Sequence, residues 1–410
     1  MKTFIIILVV ILVVIGGTAI YLIATTPESG AGVKLPLSAD QRELLTRVPA
    51  SADAFAFVPT AALLQAKLEA NRVTRDPVLQ WAADQPLPSP WLLGGADIVA
   101  WKSRKRTSYG IRMDPFRAFL VRLWLMLAGD VQARWDGKVF LINAPSGATP
   151  EPRISESELT ALLMLGEGLP SGDLLVVQRE GGRGVFPPLP RPTISSVTVT
   201  PDRIDITSRA RTDEAAASAP ITARFAAGAM ISVTFGRPPR AVEDLNRLFG
   251  AKVSTIVGEG GAIALYGIDT GTLLPRPKGL MIVPATDARR AEMEGVRQLA
   301  ELVGETRDTG NELLVSFDRQ SMGLYIKDTF EPAPWPASQW AVRLDPQPLI
   351  PVLERLGDNT GLRIAAPRLH RAARDLRKWI RYLSEAEEIV AADSVSGGVE
   401  EMKVRVVAKR

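Results

Sequence analysis

The sequence predicts an α+β protein, with an N-terminal transmembrane helix followed by two similar αβ copies built on mixed or antiparallel sheets. Three observations predict it. Phe4 to Ala24 is an apolar run without a charged residue. Strand-like runs are followed repeatedly by a proline and then by apolar residues at helical spacing. The order of these parts is the same in the two halves of the chain.

The apolar run comes first. As a helix, its 21 residues at ~1.5 Å rise span about 31 Å, the thickness of a bilayer's hydrocarbon core. A cleaved secretory signal is the alternative, but its apolar region is shorter, and Leu22 and Ala24 fit a small-x-small cleavage site poorly. Lys2 and the amino terminus precede the run, and no positive excess follows it. The expected orientation is an N-terminus in the cytoplasm and a body outside it. The domain division that follows is an anchor at 1–24, a tether at 25–37 and copies at 38–215 and 216–410. Thr212 to Pro220 joins the copies.

Ser38 caps a helix that runs through Arg47 and carries Leu44 and Leu45. Ala54 to Val58 reads as a strand, and Ala61 to Asn71 as a helix with Leu64 and Leu68 on one face. Gly94-Gly95-Ala96 leads into a strand at Asp97 to Trp101. Tyr109 to Met113 is a strand that leads through Asp114-Pro115 into a helix from Phe116 to Leu127. Trp135-Asp-Gly137 turns a hairpin into Lys138 to Ile142, and Leu174 to Gln178 and Val197 to Arg209 close the copy. The second copy repeats the series with Ile231 to Phe235, Gly260-Gly261-Ala262 and its strand at Ile263 to Tyr266, and Gly279 to Val283 with Pro284. Ser321-Met-Gly323 with Leu324 to Lys327 is its hairpin, followed by Trp340 to Leu344 with Asp345-Pro346, and Val399 to Lys409.

Composition excludes several functions. Hydrophobic residues make up 46% and charged residues 23%, ordinary for a globular body. Of 49 Lys and Arg residues, the 48 beyond Lys2 face 45 Asp and Glu, too even a balance for nucleic acid. There is no cysteine, so disulfides, thiolate chemistry and cysteine-held metals are absent. The one histidine, His370, is read as a surface residue among arginines. No nucleophile elbow, zinc-protease signature or phosphate loop occurs, so no enzyme activity and no cofactor is expected. Glu156/Glu158 and Glu385/Glu387/Glu388 are read as solvated helix faces.

Three features are candidate contacts. The Phe116–Leu127 helix is apolar nearly all round. It suits a buried core helix first, and otherwise a ligand cavity or membrane contact through Phe116, Phe119, Leu123 and Trp124. Lys102, Arg104, Lys105 and Arg106 cluster at a hairpin tip, and Arg371, Arg374, Arg377, Lys378 and Arg381 load one helix. Both suit an anionic surface or ordinary solvation. Phe186 to Pro192 reads as a stiff polyproline connector.

The stretch Leu35 to Pro59, with Val48-Pro-Ala-Ser-Ala-Asp-Ala-Phe-Ala-Phe-Val-Pro59 behind an apolar run, resembles a group of uncharacterised bacterial membrane-anchored proteins with a duplicated αβ body. The resemblance implies an extracytoplasmic body and carries no site residue. The expected function is a non-enzymatic envelope protein of the inner membrane that binds a protein partner or acts as a scaffold. The alternative is a carrier or sensor of lipid in a groove between copies.

Overall fold

The computed structural model describes residues 32–76, 93–103, 106–128, 133–143, 152–179, 192–213, 228–236, 260–270, 275–291, 304–316, 318–323, 340–365, 370–371, 374 and 384–409. The Phe4–Ala24 run, Phe186 to Arg191 and most of the helix around Arg377 lie outside them. Among the described residues no helix is long and apolar enough to cross a membrane. The chain divides into two compact units, Met1–Arg211 and Thr212–Arg410.

In the first unit, helix α1 (Ala39–Leu45) starts with a capping box. Gln41 N donates to Ser38 Oγ at 3.2 Å, and Ser38 N donates to Gln41 Oε1 at 3.1 Å. Leu44 and Leu45 are buried. Strand β1 (Ala54–Val58) follows, then α2 (Ala61–Ala70), β2 (Asp97–Ser103) and β3 (Arg106–Arg112). Next come α3 (Pro115–Ala128), β4 (Ala133–Asp136), β5 (Val139–Ile142), α4 (Glu156–Leu165), β6 (Leu174–Gln178), β7 (Thr193–Thr200) and β8 (Arg203–Arg211). The strands lie in the order β8-β7-β6-β1-β2-β3-β5-β4, and every pairing between them is antiparallel. The sheet is therefore antiparallel rather than mixed, because hairpins and helical excursions return each strand against its neighbour.

Period-two alternation loads both faces of this sheet. Phe55, Phe57, Val99, Trp101, Val139 and Leu141 point to a core that also holds Leu44, Leu45, Leu159 and Leu162 of α1 and α4. Ile98, Tyr109, Ile111, Phe140 and Ile142 point the other way, against Val121 and Leu125 of α3. Each such fully buried aliphatic or aromatic side chain contributes roughly 1.5–3 kcal/mol. Asn71 ends α2 with its side chain: Nδ2 donates to Thr200 O at 2.6 Å, and Oδ1 accepts from Val73 N at 3.0 Å. Lys67 of the same helix pairs with the buried Asp173 at 2.6 Å.

The second unit holds β9 (Ile231–Phe235), β10 (Gly261–Asp269), β11 (Arg276–Pro284), β12 (Thr306–Asp308), β13 (Glu312–Ser316), α5 (Arg319–Gly323) and β14 (Trp340–Leu344). It ends with α6 (Pro346–Asp358), α7 (Thr360–Ala365), β15 (Ala386–Ser396) and β16 (Val399–Ala408). Its strands lie in the order β16-β15-β14-β9-β10-β11-β13-β12, again with antiparallel pairings. Adding eight to each strand number of the first sheet reproduces this order. Asp345 caps α6 by accepting from Gln347 N at 3.0 Å, with Pro346 in the first turn.

Three sequence expectations need correction here. Ser321 to Gly323 is the short helix α5, and the hairpin that precedes it in the second unit is β12–β13, turned by Asp308 to Asn311. Asp308 Oδ1 accepts from Gly310 N at 2.7 Å in that turn. Pro284 is the last residue of β11 and not the first of a helix. The helical turn at 287–291 begins from Thr286, whose carbonyl accepts from Arg290 N at 2.9 Å. Glu387 and Glu388 belong to strand β15, where Glu388 bonds Arg343 across the ladder.

A buried arginine meets a glycine turn in each unit. Arg117 of α3 and Arg289 of the 287–291 turn are both almost fully buried. Arg289 Nη2 donates to Gly260 O at 3.3 Å and Nη1 to Pro284 O at 3.1 Å. Arg117 lies over Gly94, where a Cβ would sit 1.7 Å from Nη1. Gly94 has φ +52°, a conformation costing an L side chain ~1–2 kcal/mol by itself. Gly94→Ala is therefore expected to cost about 3 kcal/mol or more, because it also displaces a buried guanidinium. Gly397→Ala, at φ +58° with open space around it, is expected to cost about 1 kcal/mol. Urea denaturation of the two variants checks the ranking.

Candidate functional site

Two regions of the first unit concentrate chemistry: a cleft at one end of the sheet, and the outer face of α3.

The cleft has a volume of about 760 Å³ and is lined by Gly95 to Asp97, Arg112 to Pro115, Arg117, Trp135, Gly137 and Lys138. Antiparallel pairing builds it. Asp97 opens β2 directly opposite Arg112 at the end of β3, so their side chains are neighbours on one face. Arg112 reaches Asp40 of α1, with Nη2 donating to Oδ2 at 2.5 Å. Asp114 caps α3, accepting from Phe116 N at 3.0 Å and Arg117 N at 2.9 Å, and pairs with Arg117 Nε at 3.3 Å. Burial pushes the Asp97 carboxyl up to about 6. Arg112 pulls it back down, and Asp40 adds a smaller upward push. Asp97 thus exchanges a proton in mildly acidic conditions. No Ser, Thr or His lines this cleft; Asp114 and Lys138 line it beside Asp97, but the Asp114 carboxylate is engaged with the first turn of α3 and with Arg117. Among the described residues no group of three or more His, Asp and Glu could hold a metal ion.

A second cleft, of about 540 Å³, lies between α4 and the segment before β1. Its polar lining is Ser51, Asp53, Arg211 and the Glu158–Arg179 ion pair, at 2.5 Å. Arg179 also donates to Ala50 O, so the charges of this pair are spent on structure.

The outer face of α3 differs from both. The helix is not the all-buried core element its composition suggests. Ala118, Val121 and Leu125 are buried with Arg117, and Trp124 is partly buried against the same cluster. Phe116 is 41% exposed, Phe119 61%, Leu123 42% and Met126 65%. At ~100° per residue these four fall within one arc, opposite the buried stripe, and exposed Arg122 lies at its flank. The core reading fails because one helix face suffices to cover the sheet below it.

The remaining sequence candidates divide. Lys102 is half-buried on β2, and Arg106 opens β3. Arg104 and Lys105 lie outside the described residues, as do Arg377, Lys378 and Arg381. Arg371 is exposed and has a bonding partner, and Arg374 is exposed. His370 is buried rather than solvated. The sequence reading missed Asp97 and Arg117 as chemically special. The available signals were an acid at a strand's first residue and an arginine inside an otherwise apolar helix.

Comparison with models of protein families, with curated proteins and with solved structures gave no match.

Two tests follow from this geometry. The raised Asp97 carboxyl means that the folded state binds a proton more tightly than the unfolded chain. Its contribution to stability is greatest below pH ~4 and is lost as pH rises through about 6. Solvent screening reduces the effect to roughly 1 kcal/mol. Asp97→Asn is expected to flatten that part of the stability–pH curve and to raise stability at pH 7, read by denaturation at pH 4, 5, 6 and 7. On α3, Val121→Asp is expected to cost several kcal/mol, since it buries an unpaired charge. Leu123→Asp, on the exposed face, is expected to stay within ~0.5 kcal/mol. Thermal melts of the purified chain compare the two.

Proposed function

We propose that the chain is a non-enzymatic, membrane-tethered protein whose body lies outside the cytoplasm, where it acts as a binding scaffold of the cell envelope. Its two αβ units are taken as products of duplication, which the matched strand order and the paired arginine–glycine seats support. The uncharged Phe4–Ala24 run supports the tether, and Lys2 ahead of it supports the orientation. The observation that carries the contact role is the exposed apolar face of α3. Four large side chains in one arc are the composition of a surface meant to be covered. Asp97 with its raised carboxyl stands in a cleft lined by no Ser, Thr or His, where the other carboxylate, Asp114, is engaged in capping α3, which favours binding over catalysis.

The alternative is carriage of lipid in a groove. That reading needs Phe119 and Leu123 to line an enclosed cavity. Both face outwards, and neither cleft described above includes them, so a contact surface is the better account.

In alkaline carbonate washes the full chain is expected to stay with the membrane pellet. Protease added to intact spheroplasts is expected to degrade the body. Release by carbonate refutes the tether, and a body shielded from protease refutes its placement.

A further inference from the structure

We infer that the outer face of α3 rests on the lipid surface of the membrane that anchors the chain, an inference that builds on the tether proposed above. The first argument is reach. Val33 is fixed to the first unit, bridging Gly172 with Val33 N donating to Gly172 O at 2.6 Å. Nine Cα steps separate Val33 from Ala24 at the end of the apolar run, so Val33 lies within about 32 Å of the bilayer however the tether runs.

The second argument is position. Phe57 of β1 pairs with both Val99 of β2 and Leu175 of β6, so the starts of β2 and β6 share one end of the sheet. Arg112 ends β3 opposite Asp97 at that same end, and α3 begins three residues later. Gly172 lies just before β6. The tether and the first turn of α3 therefore leave the sheet at the same end, about three strand spacings, or ~14 Å, apart along it.

The third argument is chemistry. Phe116, Phe119, Leu123 and Met126 recur at one helical face over eleven residues, a rise of about 15 Å. Arg122 flanks them and is exposed. An apolar arc with a cation at its margin suits the boundary between acyl chains and anionic headgroups, with the helix lying in the membrane plane.

The absence of cysteine makes the test direct, since a single introduced cysteine carries the only label. Phe119→Cys and Met126→Cys place an environment-sensitive fluorophore on the face. Met164→Cys, 59% exposed on α4, is the reference. The full chain is reconstituted in vesicles of phosphatidylcholine and phosphatidylglycerol. At 119 and 126 the emission is expected to shift to the blue, to be lost when the phospholipid carries a spin-label quencher on its acyl chain, and to resist iodide in the water. At 164 iodide quenches and the lipid quencher does not. Emission at 119 and 126 that iodide quenches as at 164 overturns the inference, because the face is then free in water. Protection from iodide without quenching by the labelled lipid also overturns it, since another protein surface, such as a second copy of the chain, then covers the face. Carbonate extraction of the same vesicles separates the two claims. A chain retained but unquenched by lipid refutes the docking and leaves the tether standing, whereas a released chain refutes the tether.

Discussion

The interior position of the first strand in each sheet governs the rest of each unit. β1 lies between β2 and β6, and β9 lies between β10 and β14. Neither strand is an edge, so its unit is not closed until a strand much later in the chain returns to pair with it. An interior strand also has two faces to bury. In the first unit Phe55 and Phe57 go to one core, and Val58 packs against the other. Helices must then cover both sides, and the chain supplies α1 and α4 for one and α3 for the other. The buried arginines follow from the same geometry. The chain enters the sheet from the glycine turn at β2 and β10 and leaves it for the helical segment after β3 and β11, at the same end, where Arg117 pairs with Asp114 over Gly94 and Arg289 donates to Gly260 O. A guanidinium buried at such a corner is costly unless its donors are engaged, which ties helix, strand end and glycine turn together.

Much of this architecture was legible in the sequence, for local reasons. β1, β6, β9 and β14 are short apolar runs bounded by proline, glycine or acidic residues, and their limits in the structure match those read from the pattern. Ser38 and Asp345 cap helices because their oxygens reach the free N–H groups of the first turn, which needs no tertiary contact. What failed was decided by the surroundings of a segment rather than by its own residues. Ser321-Met-Gly323 has the small residues of a turn, yet Asp318 caps it as a helix, with Oδ1 accepting from Gln320 N and Ser321 N at 2.9 Å. His370 sits in a run of arginines and is nevertheless buried.

The site was less legible than the fold. A helix that is apolar all round carries no amphipathic signal, so composition cannot say which of its faces meets the sheet. That is decided by Ile98, Ile111 and Phe140, which accept Val121 and Leu125 and leave Leu123 outside. The Asp97 carboxyl has the same dependence. An acid at the head of a strand is visible in Ala96-Asp-Ile98, but those residues alone do not say that its carboxyl is pushed up to about 6. Its environment comes from strand register and from α1, whose Asp40 engages the nearby Arg112.

Magnitudes decide how tether and helix face would work together. Each of the four α3 side chains is roughly half-exposed or more, so covering the face would gain about 1 kcal/mol from each, ~4 kcal/mol in all. A single myristoyl chain, with an association constant of ~10⁴ M⁻¹, has a comparable strength, and such contacts are marginal and reversible. The α3 face is therefore too weak to recruit the protein to a membrane. It is strong enough to orient a body already held there, because a short tether makes the contact intramolecular and raises its effective concentration. In that arrangement the anchor sets location and α3 sets posture. A contact this weak also yields to competition. A partner that buries the same four side chains more completely would lift the helix from the lipid while the tether kept the body in place.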